Sequence, residues 1–558
     1  MVRKIVGVVC DAESDKYRKL FLALSSLFPV EFRETERDCY AALDALVLFD
    51  RSKLAGIKAA AAGIRSLLFL NTAAQPVRFA EASVRFSSPR NLNAYFHDQT
   101  LIDEDVKEFV PLVPSPSEEP VASKAGHVFW IYRPEAQSAV DFLTVAPPEL
   151  ADDEYLWQYL QAGKFLRLLP LFHFLLEVTK DIAWEAPPLR ASFMLDDPNL
   201  HNMSYGYINF RDLVEHAKTR NYHVSVATIP LDAWRIHSKT ASIFRENRSR
   251  VSLLIHGNNH TRKELLTRRS DASKIELLAQ ALRRIERFEK KSGLEVSRVI
   301  SAPHSACNRE MLNFMLQLGY EAICIARDKL FRDNPLCSWS PETGLGVVDF
   351  QGGGLPIMTR VHLRPECNPQ LRFCADWKTG IILSAFLSQP VIPCGHHQDA
   401  GAGMELLAEV AETINCLGRV KWMDMKGIAR SNYMTRSEGK HLRVKMYARC
   451  ISVDVPEGIE KMSVELPWIG EDGETEMLIH NQAEKGTLKL AAGKMSEVIS
   501  VQSTETVEII AVSKTTLNYS ELPSPPCKLW PLARRILTEG RDRVLPLLCT
   551  IKPPRKAD

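Results

Sequence analysis

The stretch Phe193-Met194-Leu195-Asp196-Asp197-Pro198-Asn199 decides how this chain is read, because an apolar run ends abruptly in two adjacent carboxylates and a turn. Ala191 to Leu195 reads as a buried strand, and Pro198, which cannot donate to a ladder, ends the pairing. Charge at that point belongs at the mouth of a sheet or barrel rather than in its core. Further on, the strand-like run Val251-Ser252-Leu253-Leu254-Ile255 ends in His256-Gly257-Asn258-Asn259-His260. Two strand ends thus deliver metal-type ligands. One carboxylate and two imidazoles can hold a single divalent cation and leave a coordination position open, which is what catalysis needs. Histidines four apart face the same way if the backbone after Ile255 turns helically. Only one of two neighbouring acids need coordinate, so the other is free to take a proton from water.

With these motifs in this order, residues 186–435 resemble the polysaccharide deacetylases of carbohydrate esterase family four, the nodulation-type deacetylase homology domain. The resemblance implies an α/β fold with a distorted TIM-like (β/α)7 barrel, Asp196 as catalytic base, and Asp197, His256 and His260 as metal ligands. The family's third motif, Arg-x-Pro followed by an aromatic and Gly, is met by Ser301-Ala302-Pro303-His304-Ser305, which keeps only Pro303. The work of the missing arginine would fall to His304, to Arg327 or Asp328 after the apolar run Ala322 to Ala326, to Arg360, or to nothing. The last motif, a strand followed by a histidine that acts as general acid, is matched by Val391-Ile392-Pro393-Cys394-Gly395-His396-His397. Alternation along a strand end aims only one of this pair inward, and the reading favours His396, with His397 in support. The implied activity is metal-dependent removal of an N-acetyl group from an amino sugar of a surface polysaccharide or its precursor. Zinc suits the ligand set, which also admits cobalt, nickel or iron. Two other readings stay open. One is a hydrolase of another non-peptide C–N bond on the same barrel. The other, to which the missing arginine points, is a catalytically degenerate glycan-binding protein.

Around these motifs, strand-like runs alternate with amphipathic ones, as in Phe210 to Ala217 before Val224 to Ala227, and Ser273 to Lys291 before Val299, which is the barrel rhythm. Residues 1–111 show the same rhythm, with Ile5 to Val9 as first strand and Leu54 to Ala61 as a helix. They predict a small, parallel open sheet of flavodoxin-like or amidotransferase-like kind. No glycine-rich phosphate loop follows the first strand, and Cys10 reads as a buried thiol rather than a nucleophile. Residues 112–185 read as a linker and bridge containing a core helix within Phe165 to Val178. From 436 to 558 short alternating strands, among them Leu442 to Tyr447 and Val507 to Val512, predict a small accessory β-sandwich, closed by a docking helix in Leu529 to Leu548.

Composition narrows the function classes. With 558 residues, 45% of them hydrophobic, the chain can bury several cores. A net charge of +2 with no basic run interleaved with aromatics argues against a nucleic-acid partner, and no run is long and apolar enough to span a bilayer. The run Ile5 to Val9 is broken at once by Cys10-Asp11-Ala12-Glu13, so no export leader is read and a cytoplasmic location is expected, with a glycan or glycan precursor as the substrate. The 12 cysteines fall singly, which suits reduced core thiols.

Overall fold

The structure, a computed structural model, describes residues 3–9, 14–35, 42–49, 64–70, 75–134, 139–351, 353–363, 376–401, 403–468, 474–480, 485–491, 494–512, 515–526 and 529–551. Cys10, the segment Leu54 to Ala61 and the turn at Glu471 lie outside them. The chain divides into two compact units, Met1–Trp184 with Trp339–Gly346 and Pro365–Leu387, and Glu185–Ser338 with Val347–Arg364 and Ser388–Asp558.

The first unit is built on a nine-stranded sheet in the order Val30–Glu34, Lys4–Val9, Ala45–Leu48, Arg65–Phe69, Val140–Leu143, His127–Arg133, Glu119–Lys124, Ser83–Phe86, Thr100–Ile102. The first five strands run parallel and the pairings beyond them are antiparallel. The bridging segment is therefore part of the first sheet. Val140–Leu143 is apolar at three of its four positions and buried at all of them, so it covers the edge that Arg65–Phe69 would otherwise expose. The helix Leu169–Val178 starts with proline in its first turn, and Phe172 packs 4.9 Å from Phe28 and 5.6 Å from Phe386, ring centre to ring centre. Helix Trp377–Phe386, which the sequence reading kept within 186–435, belongs to this unit instead. It buries residues on every side, and a helix apolar all round cannot serve as the half-solvated outer layer of a barrel.

The second unit holds a nine-stranded sheet curled into a half-barrel. Its strands are β1 (Phe193–Asp196), β2 (Val224–Thr228), β3 (Val251–His256), β4 (Val296–Ser301), β5 (Ala322–Cys324), β6 (Asp349–Gln351), β7 (Leu355–Met358), β8 (Val361–His362) and β9 (Pro393–His396). They lie in the order β6-β7-β5-β4-β3-β2-β1-β9-β8. All pairings are parallel except that of β6 with β7. Nine strands thus stand where seven were expected, and β6 and β8 at the two ends are not paired to each other among the described residues. The antiparallel return of β6 fills one edge, and β8 contributes only two residues to the other. The connecting helices follow local chemistry. Helix Phe210–Thr219 is capped by Asn209, whose side chain accepts from the amide of Arg211 at 3.0 Å. Helix Asp271–Ser292 starts on Ser270 and ends on Gly293, at φ 66°.

Strand parity places the functional layer. Met194, Ala227, Leu254, Val299, Cys324, Met358 and Cys394 meet in one core cluster with Met425 and Ile428 of the short helix Met425–Arg430. Side chains two positions further along a strand point the same way. Asp196, His256, Ser301 and His396 are those residues on β1, β3, β4 and β9, and Arg360 lies two beyond Met358.

Two four-stranded sheets follow, Tyr433–Glu438, His441–Met446, Lys461–Glu465 and Ile499–Ser500 in one, and Cys450–Asp454, Thr506–Val512, Glu474–His480 and Lys485–Ala491 in the other. Val444, Val464, Val453 and Ile509 are among the residues that give both sheets one shared core. Within the unit, Arg430 joins β5's neighbour Glu321 (2.8 and 2.9 Å) to Glu508 (2.9 Å). No helix among the described residues is long and apolar enough to cross a membrane.

Candidate metal centre and its acid–base neighbours

After Asp196 the chain leaves β1 with Asp197 at φ 86°, a left-handed backbone that a non-glycine residue holds only where surrounding structure enforces it. Asp197 Oδ1 lies 3.5 Å from His256 Nε2 and 3.1 Å from His260 Nε2, and the candidate ligand atoms of the three residues are all within 4.8 Å of one another. That oxygen is buried and neither imidazole meets it in hydrogen-bond geometry. His256 Nδ1 lies 3.1 Å from the carbonyl oxygen of Ser301, a contact that keeps a proton on Nδ1 and presents Nε2 to Asp197. A buried carboxylate oxygen without a donor, facing two ring nitrogens, fits a divalent cation.

His260 reaches this point without a helical turn. Gly257 and His260 both have positive φ, 59° and 52°, and the amides of Asn258, Asn259 and His260 donate to the buried Glu264 carboxylate at 2.6, 3.0 and 3.2 Å. The three amides that would have begun a helix are thus held by a side chain, and the loop follows the carboxylate. A Cβ at Gly257 would come within 2.2 Å of Glu264 Oε1 and 2.4 Å of Pro303 Cγ. Pro303, the one residue kept from the third motif, therefore walls the ligand loop rather than contacting the cluster.

Asp196 is buried and turned to other partners. Its Oδ2 accepts from Arg360 Nη1 at 2.8 Å and its Oδ1 from the Ser301 hydroxyl at 3.0 Å. Arg360 also donates to Ser301 Oγ at 3.0 Å and, through Nε, to Ser305 Oγ at 3.2 Å. Of the four side chains considered for the missing arginine's place, Arg360 is the one bonded to Asp196. Arg327 instead pairs with Asp349 at 3.2 Å and Asp328 with Arg332 at 2.8 Å, both outside the cluster. His304 stands exposed at the rim, its ring 5.1 Å from that of His260.

The charges reinforce this division. Burial pushes the Asp196 carboxyl up, but the charges of His256 and Arg360 outweigh it and hold the group below its ordinary range. Burial opposes ionisation of Asp197 too, and His256 and His260 bring it well below that range. Burial takes His260 down to about 3. For His256 the same desolvation is overcome by Asp196 and Asp197, so its value is raised.

The two C-terminal histidines separate. His396 is paired in register with Asp196 on the neighbouring parallel strand, is exposed, and donates its amide to Asp399 Oδ2 at 2.8 Å. His397 is buried and turned away, its ring 5.3 Å from Tyr205 and 5.9 Å from Tyr207, with Nε2 3.6 Å from Asp542. Asp542 belongs to the C-terminal helix Leu529–Ile551, which lies over this face. There Arg534 donates to the carbonyl of His260, Arg535 pairs with Asp232 at 3.2 Å, and Tyr205 donates to Asp542 at 2.9 Å. Sequence reasoning missed Ser301, Ser305 and Glu264, and it placed the C-terminal helix without its contacts to this site. Strand parity from Val299 could have found Ser301; nothing in the pattern ties residues 534–542 to the cluster.

No family model matches the chain, and no curated protein matches it by sequence. Among solved structures it is similar to the carbohydrate deacetylase Agd3, with a TM-score of 0.48 and 9% identity over 92% of this chain and 99% of that one. A carbohydrate esterase family four esterase from Streptococcus mutans matches with a TM-score of 0.26 and 10% identity, over 44% of this chain and 93% of that one. A family four pseudoenzyme from Bacillus anthracis matches with a TM-score of 0.27 and 9% identity, over 44% of this chain and 66% of that one. At these identities the chemistry has to be argued from the residues themselves.

Proposed function

We propose that the chain is a metal-dependent hydrolase that removes an N-acetyl group from an amino sugar of a surface polysaccharide or its precursor. The observation that carries this reading is the division of labour between two adjacent acids: Asp197 faces two imidazoles, and Asp196 is held by an arginine and a serine. Asp197, His256 and His260 would hold the cation, zinc being the best match to their donor set. A divalent cation supplies Lewis-acid polarisation of an acyl oxygen and brings water into its nucleophilic range near neutral pH.

The remaining work belongs to the chain's own side chains. Asp196, kept ionised by Arg360, accepts the proton of the attacking water on the carboxylate that Ser301 and Arg360 orient. His396, on the strand beside it, donates a proton to the departing amine. His256 is fixed by its strand and its contact with Ser301, and His260 by the Glu264-bound loop, so the ligands need little reorganisation. A glycan-binding protein without catalysis was suggested by the missing motif arginine, and the bond from Arg360 to Asp196 supports catalysis over that alternative. Hydrolysis of a different non-peptide C–N bond would use the same residues, and the substrate screen separates the two.

The test is metal analysis of the purified chain followed by acetate release from N-acetylated amino-sugar oligomers. One divalent cation per chain and acetate release that stops on chelation and returns with zinc are expected. Wild-type protein that binds no divalent cation, or that releases no acetate when loaded, overturns the reading.

A further inference from the structure

The C-terminal helix Leu529–Ile551 is docked the wrong way round for an ordinary surface helix. Its polar residues face the protein: Arg535 is 3% and Asp542 2% exposed, engaged with Asp232 and Tyr205. Its apolar residues face out: Trp530 is 68%, Ile536 62%, Leu537 69% and Val544 49% exposed. With Leu529 and Leu532 they make up half of the large apolar side chains left exposed among the described residues, gathered on one face at helical spacing. Another exposed tryptophan, Trp234, lies close to the helix. The Trp234 ring lies 5.2 Å from that of His201, which in turn stands 3.4 Å from Glu539 of the helix.

Charge tells what such a face is built to meet. The acids of the helix are already partnered, Glu539 with Arg543 of the same helix at 2.7 Å and with His201 at 3.4 Å, and Asp542 with Arg541 at 2.7 Å and with Tyr205. Exposed cations stand close to the helix in the fold or next to it in sequence. Arg235 is exposed beside Trp234, and Arg262 and Lys263 are exposed just after His260, whose carbonyl accepts from Arg534 of the helix. In sequence the helix is preceded by Lys528 and followed by Lys552, Arg555 and Lys556. An exposed apolar stripe that carries a tryptophan, with a second exposed tryptophan and cations close by, is the composition of a helix that lies in the plane of a bilayer.

We propose that the outward face of Leu529–Ile551 docks this protein on an anionic lipid surface, lying in the interface without crossing it. The proposal rests on the helix alone and is independent of the reaction assigned to the metal centre. A protein surface rich in acids and apolar groups, including a second copy of this chain, is the other occupant the stripe could take; the two are distinguished by experiment.

The experiment is co-sedimentation of the full chain with vesicles of phosphatidylcholine mixed with phosphatidylglycerol, and with phosphatidylcholine alone. Binding is expected to the mixed vesicles, weaker to the neutral ones, and reduced by salt. The double variant Ile536→Glu, Leu537→Glu should bind the mixed vesicles at least about tenfold less well, since two large side chains no longer leave water. Its metal content should be unchanged. Val498→Glu, at an exposed apolar position outside the helix, just before the strand Ile499–Ser500, should bind as wild type does. No sedimentation with mixed vesicles, or equal binding by the double variant, overturns the proposal. So does a concentration-dependent dimer that the same double variant breaks, which would make the face a subunit interface.

Discussion

Replacing Asp196 by Asn removes the charge that Arg360 and Ser301 hold but none of the three candidate ligand atoms, so Asp196→Asn should keep its cation and lose turnover by at least about a hundredfold. Asp197→Asn should give the converse, an emptied site by metal analysis; retention in Asp197→Asn with loss in Asp196→Asn would reverse the roles. The pH profile follows from the same contacts. Asp196 is held low, whereas His256 is raised and must lose its proton before it can bind a cation. As pH falls, the proton therefore displaces the cation at His256 before Asp196 titrates, and the acid limb of activity should coincide with metal release. Removing the arginine charge in Arg360→Gln lets Asp196 rise. Activity should then fail at a pH where the cation is still bound. Superimposable activity and metal curves in that variant would deny Arg360 its part. Why the arginine could not be singled out in sequence is visible at this scale. Ile357 and Met358 are both apolar and both buried, so β7 offers no alternation from which to tell that residue 360 points inward. Asp196 and His256 were legible because each follows an apolar run at the position where it stops.

At the scale of the element, the start of the ligand loop between β3 and helix Asp271–Ser292 is gathered by Glu264, while backbone bonds from Leu231 to Asn258 and from Asn308 to Leu265 tie the loop to its neighbours. Its amides donate to that carboxylate, and Asn258 donates to the carbonyl of Leu277 at 3.0 Å while accepting from Arg284 at 2.6 Å. Gly257→Ala meets two obstacles, a positive φ and a Cβ pressed between Glu264 and Pro303. It should loosen His260 and weaken metal binding about tenfold or more, the scale seen when outer-shell support of a ligand is lost, while His256 stays on its strand. Titration of the apo protein with zinc measures this; wild-type affinity in Gly257→Ala would mean that the loop does not set the ligand. The spacing of His256 and His260 was legible, but the geometry that joins them was not. The sequence admits a helical turn, and the tertiary position of a buried glutamate, four residues past His260, overrides it.

Across the second unit, the parallel strands and the order of their motifs carried most of the fold, because β1 to β5 show apolar runs followed by turn residues, whereas β9, Pro393-Cys394-Gly395-His396, follows its apolar run Val391-Ile392. The helix Trp377–Phe386 was not singled out, and the bounds 186–435 enclosed it although it packs in the other unit. A segment apolar on all sides shows that it is buried but not among which residues. The C-terminal helix poses the opposite case, since its periodicity gives a face without saying which way the face points. Here a buried ion pair decides: Arg535 and Asp232 are both almost fully buried, so the polar side is turned in. Arg535→Ala leaves Asp232 charged and buried without its partner, and should destabilise the unit by about 3–5 kcal/mol. The double variant Arg535→Leu, Asp232→Leu should recover much of that loss, because no lone charge remains inside. If the ion pair mainly secures the helix, hydrogen exchange across residues 529–544 should rise more in Arg535→Ala than exchange across β1 to β4, and the metal should stay bound. Equal acceleration in the helix and in the strands would mean that this pair supports the half-barrel as a whole. The orientation of the apolar face would then follow from the packing of the entire unit, not from a latch at residue 535.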